Sequence, residues 1–177
     1  EDDEVIVVNK PAGMLVHPSH RENNGTLLNA LVFYLNQSGG GPAIRPGLIH
    51  RLDKQTSGLI VAAKNARAHR RLCSSFMKKL VEKTYLARVE GIVEIDEGTI
   101  EAPIGRFADL KIWGVREDGK MSESKYRVRE RLADSTLLEL EPVTGRTNQL
   151  RIHCELIGHP IIGDVRARGD AAVLDYT

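Results

Sequence analysis

The run His50-Arg51-Leu52-Asp53-Lys54-Gln55-Thr56-Ser57-Gly58-Leu59 concentrates the residues of this chain that are suited to chemistry. Apolar Leu48-Ile49 leads into it and Leu59 to Ala63 follow it, so a polar knot sits between two runs of strand length. Such loops, held by buried strands, present side chains to ligands. An ionised carboxylate there serves as a nucleophile or as a proton acceptor. Local composition also admits a plainer role, with Asp53 capping a turn and Arg51 as its surface ion-pair partner. A hydrolase built on Asp53 and His50 is disfavoured, because no second carboxylate or metal cluster is placed to help. The His-Arg-Asp of protein kinases is excluded, since Leu52 intervenes and neither a glycine-rich loop nor Asp-Phe-Gly occurs.

The elements around this loop follow from patterning. Glu4 to Asn9 reads as a strand closed by Lys10-Pro11-Ala12-Gly13, and Met14 to His17 as a second short strand. Thr26 to Gln37 is a helix capped by Thr26, and Ser38 to Pro42 is a flexible linker. Asn65 to Val81 is the strongest helix, with Leu72, Cys73, Phe76, Met77 and Leu80 as its apolar stripe. Its other side carries Arg67, Arg70, Arg71, Lys78 and Lys79, a solvated face in isolation. Glu82 to Gly91 alternates as a strand with Tyr85, Ala87 and Val89 on one face. Short strands are expected near Gly98 to Ile104 and Lys111 to Val115. Lys120 to Arg131 and Thr136 to Leu140 pair as a hairpin across Ala133-Asp134-Ser135. Thr144 to Gly158 ends in a helix with Thr147 as N-cap and Leu150, Cys154 and Ile157 buried.

With 177 residues, 41% apolar and 28% charged, the chain is expected to form a single domain over 1–177. Lys plus Arg is 25 and Asp plus Glu is 24, a net charge of +1, so global basicity does not announce nucleic acid; the local cluster from Lys64 to Lys83 does more. Cys73 and Cys154 are too far apart for a metal or redox motif and read as reduced thiols of a cytosolic-type protein. His17 and His20 lack a third ligand at useful spacing. No apolar run reaches membrane-spanning length.

The run from His50 to Leu59 resembles the HRLD and TSGL motif of the RluA-type RNA pseudouridine synthases. Asn9-Lys10-Pro11-Ala12-Gly13 with Val16-His17-Pro18 resembles that family's NKPxGxxVHP opening, and Lys83-Thr84-Tyr85 its Lys-x-Tyr segment. Thr144-Gly145-Arg146-Thr147-Asn148-Gln149-Leu150-Arg151-Ile152-His153 resembles its third motif, with Asn148 where the family usually has His. Gly158-His159-Pro160-Ile161-Ile162-Gly163-Asp164 resembles its GHPIxGD segment. Beyond that, Val165 to Thr177 holds nothing like the family's usual C-terminal end, and no separate RNA-binding module is evident.

The resemblance implies an α+β pseudouridine synthase fold: a mostly antiparallel, bent mixed sheet with flanking helices and a central active-site cleft. It implies isomerisation of specific uridines to pseudouridine in structured rRNA or tRNA, with no cofactor and no metal. Asp53 would be the catalytic carboxylate, Arg151 the guanidinium that keeps it charged and oriented, and Tyr85 the ring that stacks on the uracil. Substrate contacts fall to Arg51, His50, Leu52, Thr56 and Leu150. Phosphate contacts fall to Arg67, Arg70, Arg71, Lys78 and Lys79. The protein is expected to act as a monomer with RNA as its partner, off the membrane, in the cytoplasm or an organelle. The alternative is an RNA-binding protein on the same fold that no longer catalyses.

Overall fold

A computed structural model describes residues 1–37 and 43–162. The chain divides into two compact units, one over Glu1–Val81 and one beginning at Glu82. The expected linker Ser38 to Pro42 and the chain from Gly163 onward lie outside the described residues.

In the first unit, β1 (Val5–Lys10), β2 (Gly47–Leu48) and β3 (Gly58–Ala63) form an antiparallel sheet in the order β1-β3-β2. Alternation along β1 and β3 buries Ile6, Lys10, Ile60 and Ala62 on one face. Helix α1 (Leu27–Leu35) starts at a capping box, in which Thr26 and Asn29 satisfy each other's backbone N–H groups. No strand forms over Met14 to His17. The carbonyls of Leu15 and Val16 instead accept from the N–H groups of Leu27 and Leu28, two of the donors a helix start leaves unpaired.

Helix α2 (Ala66–Met77) is capped by the Asn65 side chain, which accepts from the Ala68 N–H. It ends earlier than its periodicity predicts, because Lys79 turns left-handed at φ 56°. Met77 and Leu80 are consequently 79% and 70% exposed, so the apolar stripe is shorter than expected.

In the second unit, β4 (Tyr85–Glu90), β5 (Glu97–Phe107), β6 (Ile112–Val115), β7 (Lys120–Arg131) and β8 (Ser135–Pro142) form an antiparallel sheet in the order β4-β8-β7-β5-β6. The β7–β8 hairpin turns where expected, closed by the Leu132 N–H to the Ser135 carbonyl. Helix α3 (Gln149–Leu156) packs on the sheet face that carries Ala87, Val89, Leu138 and Leu140, with Cys154 in that cluster. Burial pushes the Cys154 thiol up to about 12, leaving it an inert core group.

The α+β class holds. The described strands form antiparallel sheets of three and five strands, in keeping with the mostly antiparallel sheet expected.

Candidate active site

Asp53 opens a tight turn in which the Thr56 N–H donates to the Asp53 carbonyl at 3.0 Å. Glycine at 58, with φ 125°, lets the chain leave the turn directly into β3. Leu52, only 6% exposed, anchors the loop inward, with its Cδ1 beneath Gly58. Asp53 itself is half-buried, whereas Arg51 is exposed to solvent. His50 is committed on both faces of the loop's start. Its Nε2 accepts the Val61 N–H at 3.1 Å, and its ring stacks on Phe76 of α2 at 5.0 Å between centroids. An accepting Nε2 places the ring proton of neutral His50 on Nδ1.

Sequence reasoning overlooked Lys10. Its ammonium is 0% exposed and donates to the carbonyls of Pro11, Met14 and Lys54 at 2.8, 2.9 and 3.3 Å. An ammonium has three protons to give, and all three are used. The Gly13 N–H donates to the same Lys54 carbonyl at 2.8 Å. The segment after β1 is thereby tied to the residue that follows Asp53. Burial pushes Lys10 below the ordinary lysine value, and the Asp53 carboxylate counters that by attracting the charge. A signal was present: Ile6, Val8 and Lys10 share one phase of an apolar strand, and a lysine in the inward phase must carry a structural or electrostatic role.

In the second unit, Tyr85 is the first residue of β4, half-buried opposite Leu140 and packed against the core cluster. Leu150 packs against that cluster too. Arg151 stands half-buried on α3. The helix start differs from expectation: Asn148, not Thr147, is the N-cap, at φ 55° and without a side-chain cap bond. Asn is among the residues that tolerate this left-handed conformation. Gln149, the first helical residue, instead ties the preceding turn to the helix: its Oε1 accepts from the Arg146 N–H at 2.9 Å and from the Thr144 hydroxyl at 2.7 Å.

Arg67, Arg70, Arg71, Lys78 and Lys79 are all exposed on or just after α2. Among them Arg71 approaches Glu4 at 3.9 Å, a long and solvated pair of little energetic weight.

A family model described as RNA pseudouridylate synthase matches residues 4–156, spanning the loop of Asp53, the strand of Tyr85 and the helix of Arg151. The chain belongs to the RNA pseudouridylate synthase family, in its RluA-type branch.

Its relatives include the uncharacterized RNA pseudouridine synthase YlyB of Bacillus subtilis, 46% identical over 178 positions that cover 99% of this chain and 58% of the relative. Ribosomal large subunit pseudouridine synthase D of Pseudomonas aeruginosa is 42% identical over 165 positions, 93% of this chain and 51% of the relative. The chain thus spans little more than half the length of these pseudouridine synthases. Among solved structures, human RNA pseudouridylate synthase domain containing 4 matches with a TM-score of 0.77 and 27% identity, over 94% of this chain and 67% of that one.

Proposed function

We propose that the protein isomerises uridine to pseudouridine in structured RNA. The observation that carries this reading is the Asp53 loop, a half-buried carboxylate on a turn fixed from below by the buried Lys10 ammonium. The reaction breaks the N1–C1′ bond, rotates the freed uracil and rejoins it through C5. The C5 proton is lost and N1 gains one, so composition is unchanged and no cofactor is required. Asp53 supplies the carboxylate, as nucleophile toward the sugar or the base, or as proton acceptor. Arg151 is assigned as the cationic partner in this chemistry; a guanidinium stays protonated and its planar fork matches two carboxylate oxygens. Tyr85 stacks on the uracil and excludes water.

The target base must leave its stack, at a cost of a few kcal/mol. Exposed Arg51 faces RNA, with Thr56 beside the turn as a further contact, and His50, Leu52 and Leu150 are assigned as further substrate-contact positions. The basic residues of α2 contact phosphate and make binding salt-dependent. The substrate assigned is ribosomal RNA, and the protein is assigned to the cytoplasm as a monomer.

Incubating the full-length protein with unmodified bulk RNA and mapping pseudouridine site by site tests the reading. New modification at discrete uridines supports it. A folded protein that binds RNA and modifies none is instead the silent RNA-binding alternative.

A further inference from the structure

Two buried polar residues of α3, Gln149 and His153, face two buried serines of β7, Ser124 and Ser122. The spacings match: four residues of helix advance about 6 Å, and two residues of strand about 7 Å. Gln149 donates from Nε2 to the Ser124 hydroxyl and the Glu123 carbonyl, each at 2.9 Å. With the two bonds its Oε1 accepts, its amide is saturated. One turn later, His153 Nε2 lies 2.9 Å from the Ser122 hydroxyl, which gives its own proton to the Ala102 carbonyl of β5. His153 must therefore donate, with its proton on Nε2. Its Nδ1 is left buried without a partner.

An aliphatic residue at 153 would avoid that orphaned nitrogen and pack as well. What it would lose is direction, because apolar contact lets a helix roll whereas two aligned hydrogen bonds do not. At about 100° per residue, Arg151 lies about 160° from both Gln149 and His153, on the side of α3 opposite the serines.

We propose that Gln149 and His153, docked on Ser124 and Ser122, are positioning residues that set the rotation of α3 and thereby the direction of Arg151. This rests on the role assigned to Arg151 above.

The test is a double-mutant cycle in the full-length protein on an unmodified large-subunit rRNA transcript. Ser122→Ala is expected to lower kcat about ten- to a hundredfold with the Kd for the transcript nearly unchanged, the cost of a misplaced group. In an Arg151→Met background, Ser122→Ala is expected to cost nothing further. Ser124→Ala repeats the test on the other rung. His153→Gln, which keeps an N–H donor toward Ser122, retains most of the rate, whereas His153→Leu behaves like Ser122→Ala; this contrast carries the test should Ser122→Ala fail to fold. An unchanged kcat in both serine variants, or losses that multiply independently of Arg151→Met, overturns the proposal. Full activity of Arg151→Met alone would instead overturn the role given to Arg151, whatever the serine variants do.

Discussion

The loop of Asp53 and the helix of Arg151 are fixed by opposite means. The loop is held by a buried charge, with Lys10 giving one proton to the loop's Lys54 carbonyl and two to the Pro11 and Met14 carbonyls of the segment after β1. The helix is held by neutral groups, an amide and an imidazole on two serines. The difference follows from what each carries. A turn has unpaired carbonyls converging on a point, which a single ammonium satisfies while its charge faces the carboxylate. A helix has its backbone bonds already made, so only its roll and register need fixing. Arginine keeps its proton at any working pH and needs geometry rather than tuning.

After the loss of Asp53 itself, the largest expected effect tests the second of these regions. Arg151→Met lowers kcat by about 10²–10³, the scale of losing one preorganised electrostatic partner. It leaves the melting temperature close to wild type, because the ladder on the far side of α3 is untouched. Single-turnover kinetics beside a thermal melt read both, and a large drop in melting temperature would show that Arg151 supports the fold instead.

Lys10→Met tests the first region and gives the reverse pattern in stability. Leaving carbonyls of Pro11, Met14 and Lys54 without their donor costs about 2–4 kcal/mol in urea unfolding. Turnover falls with it as the Asp53 turn loosens. A loss of less than about 0.5 kcal/mol, the scale of an ordinary surface change, would mean that the ammonium does not hold the loop.

A smaller effect comes from pH. Burial holds His153 below the ordinary histidine value of 6.5. The unfolded chain therefore takes up a proton at 153 before the folded one does. Stability falls as pH drops below 6.5 and stops falling, on this account, once the folded group itself titrates. His153→Gln removes the titration and flattens the acid side of the stability curve. An unaltered acid slope in that variant would assign the slope to other groups.

Much of this was legible in the sequence, for a physical reason. Period-two alternation at Tyr85, Ala87 and Val89 and the caps at Thr26 and Asn65 are local signals, and the structure keeps them. What failed was decided at longer range. Leu15 and Val16 have the look of a strand, but their carbonyls are taken by a helix start more than ten residues on. The stripe of α2 promised burial for Met77 and Leu80, which the left-handed Lys79 withdrew. At the site, the motifs named Asp53, Tyr85 and Arg151. The motifs contain Lys10, Gln149 and His153 but assign them no role, because each has a decisive partner 20 or more residues away in sequence that only the folded chain brings near.

The carboxylate remains the centre of the account, and Asp53→Asn tests it most directly because it removes the charge and keeps the shape. Pseudouridine formation and RNA binding would be measured on the same preparation of full-length protein. The account predicts no detectable product alongside wild-type affinity for RNA. Product formed at a rate near wild type would contradict it.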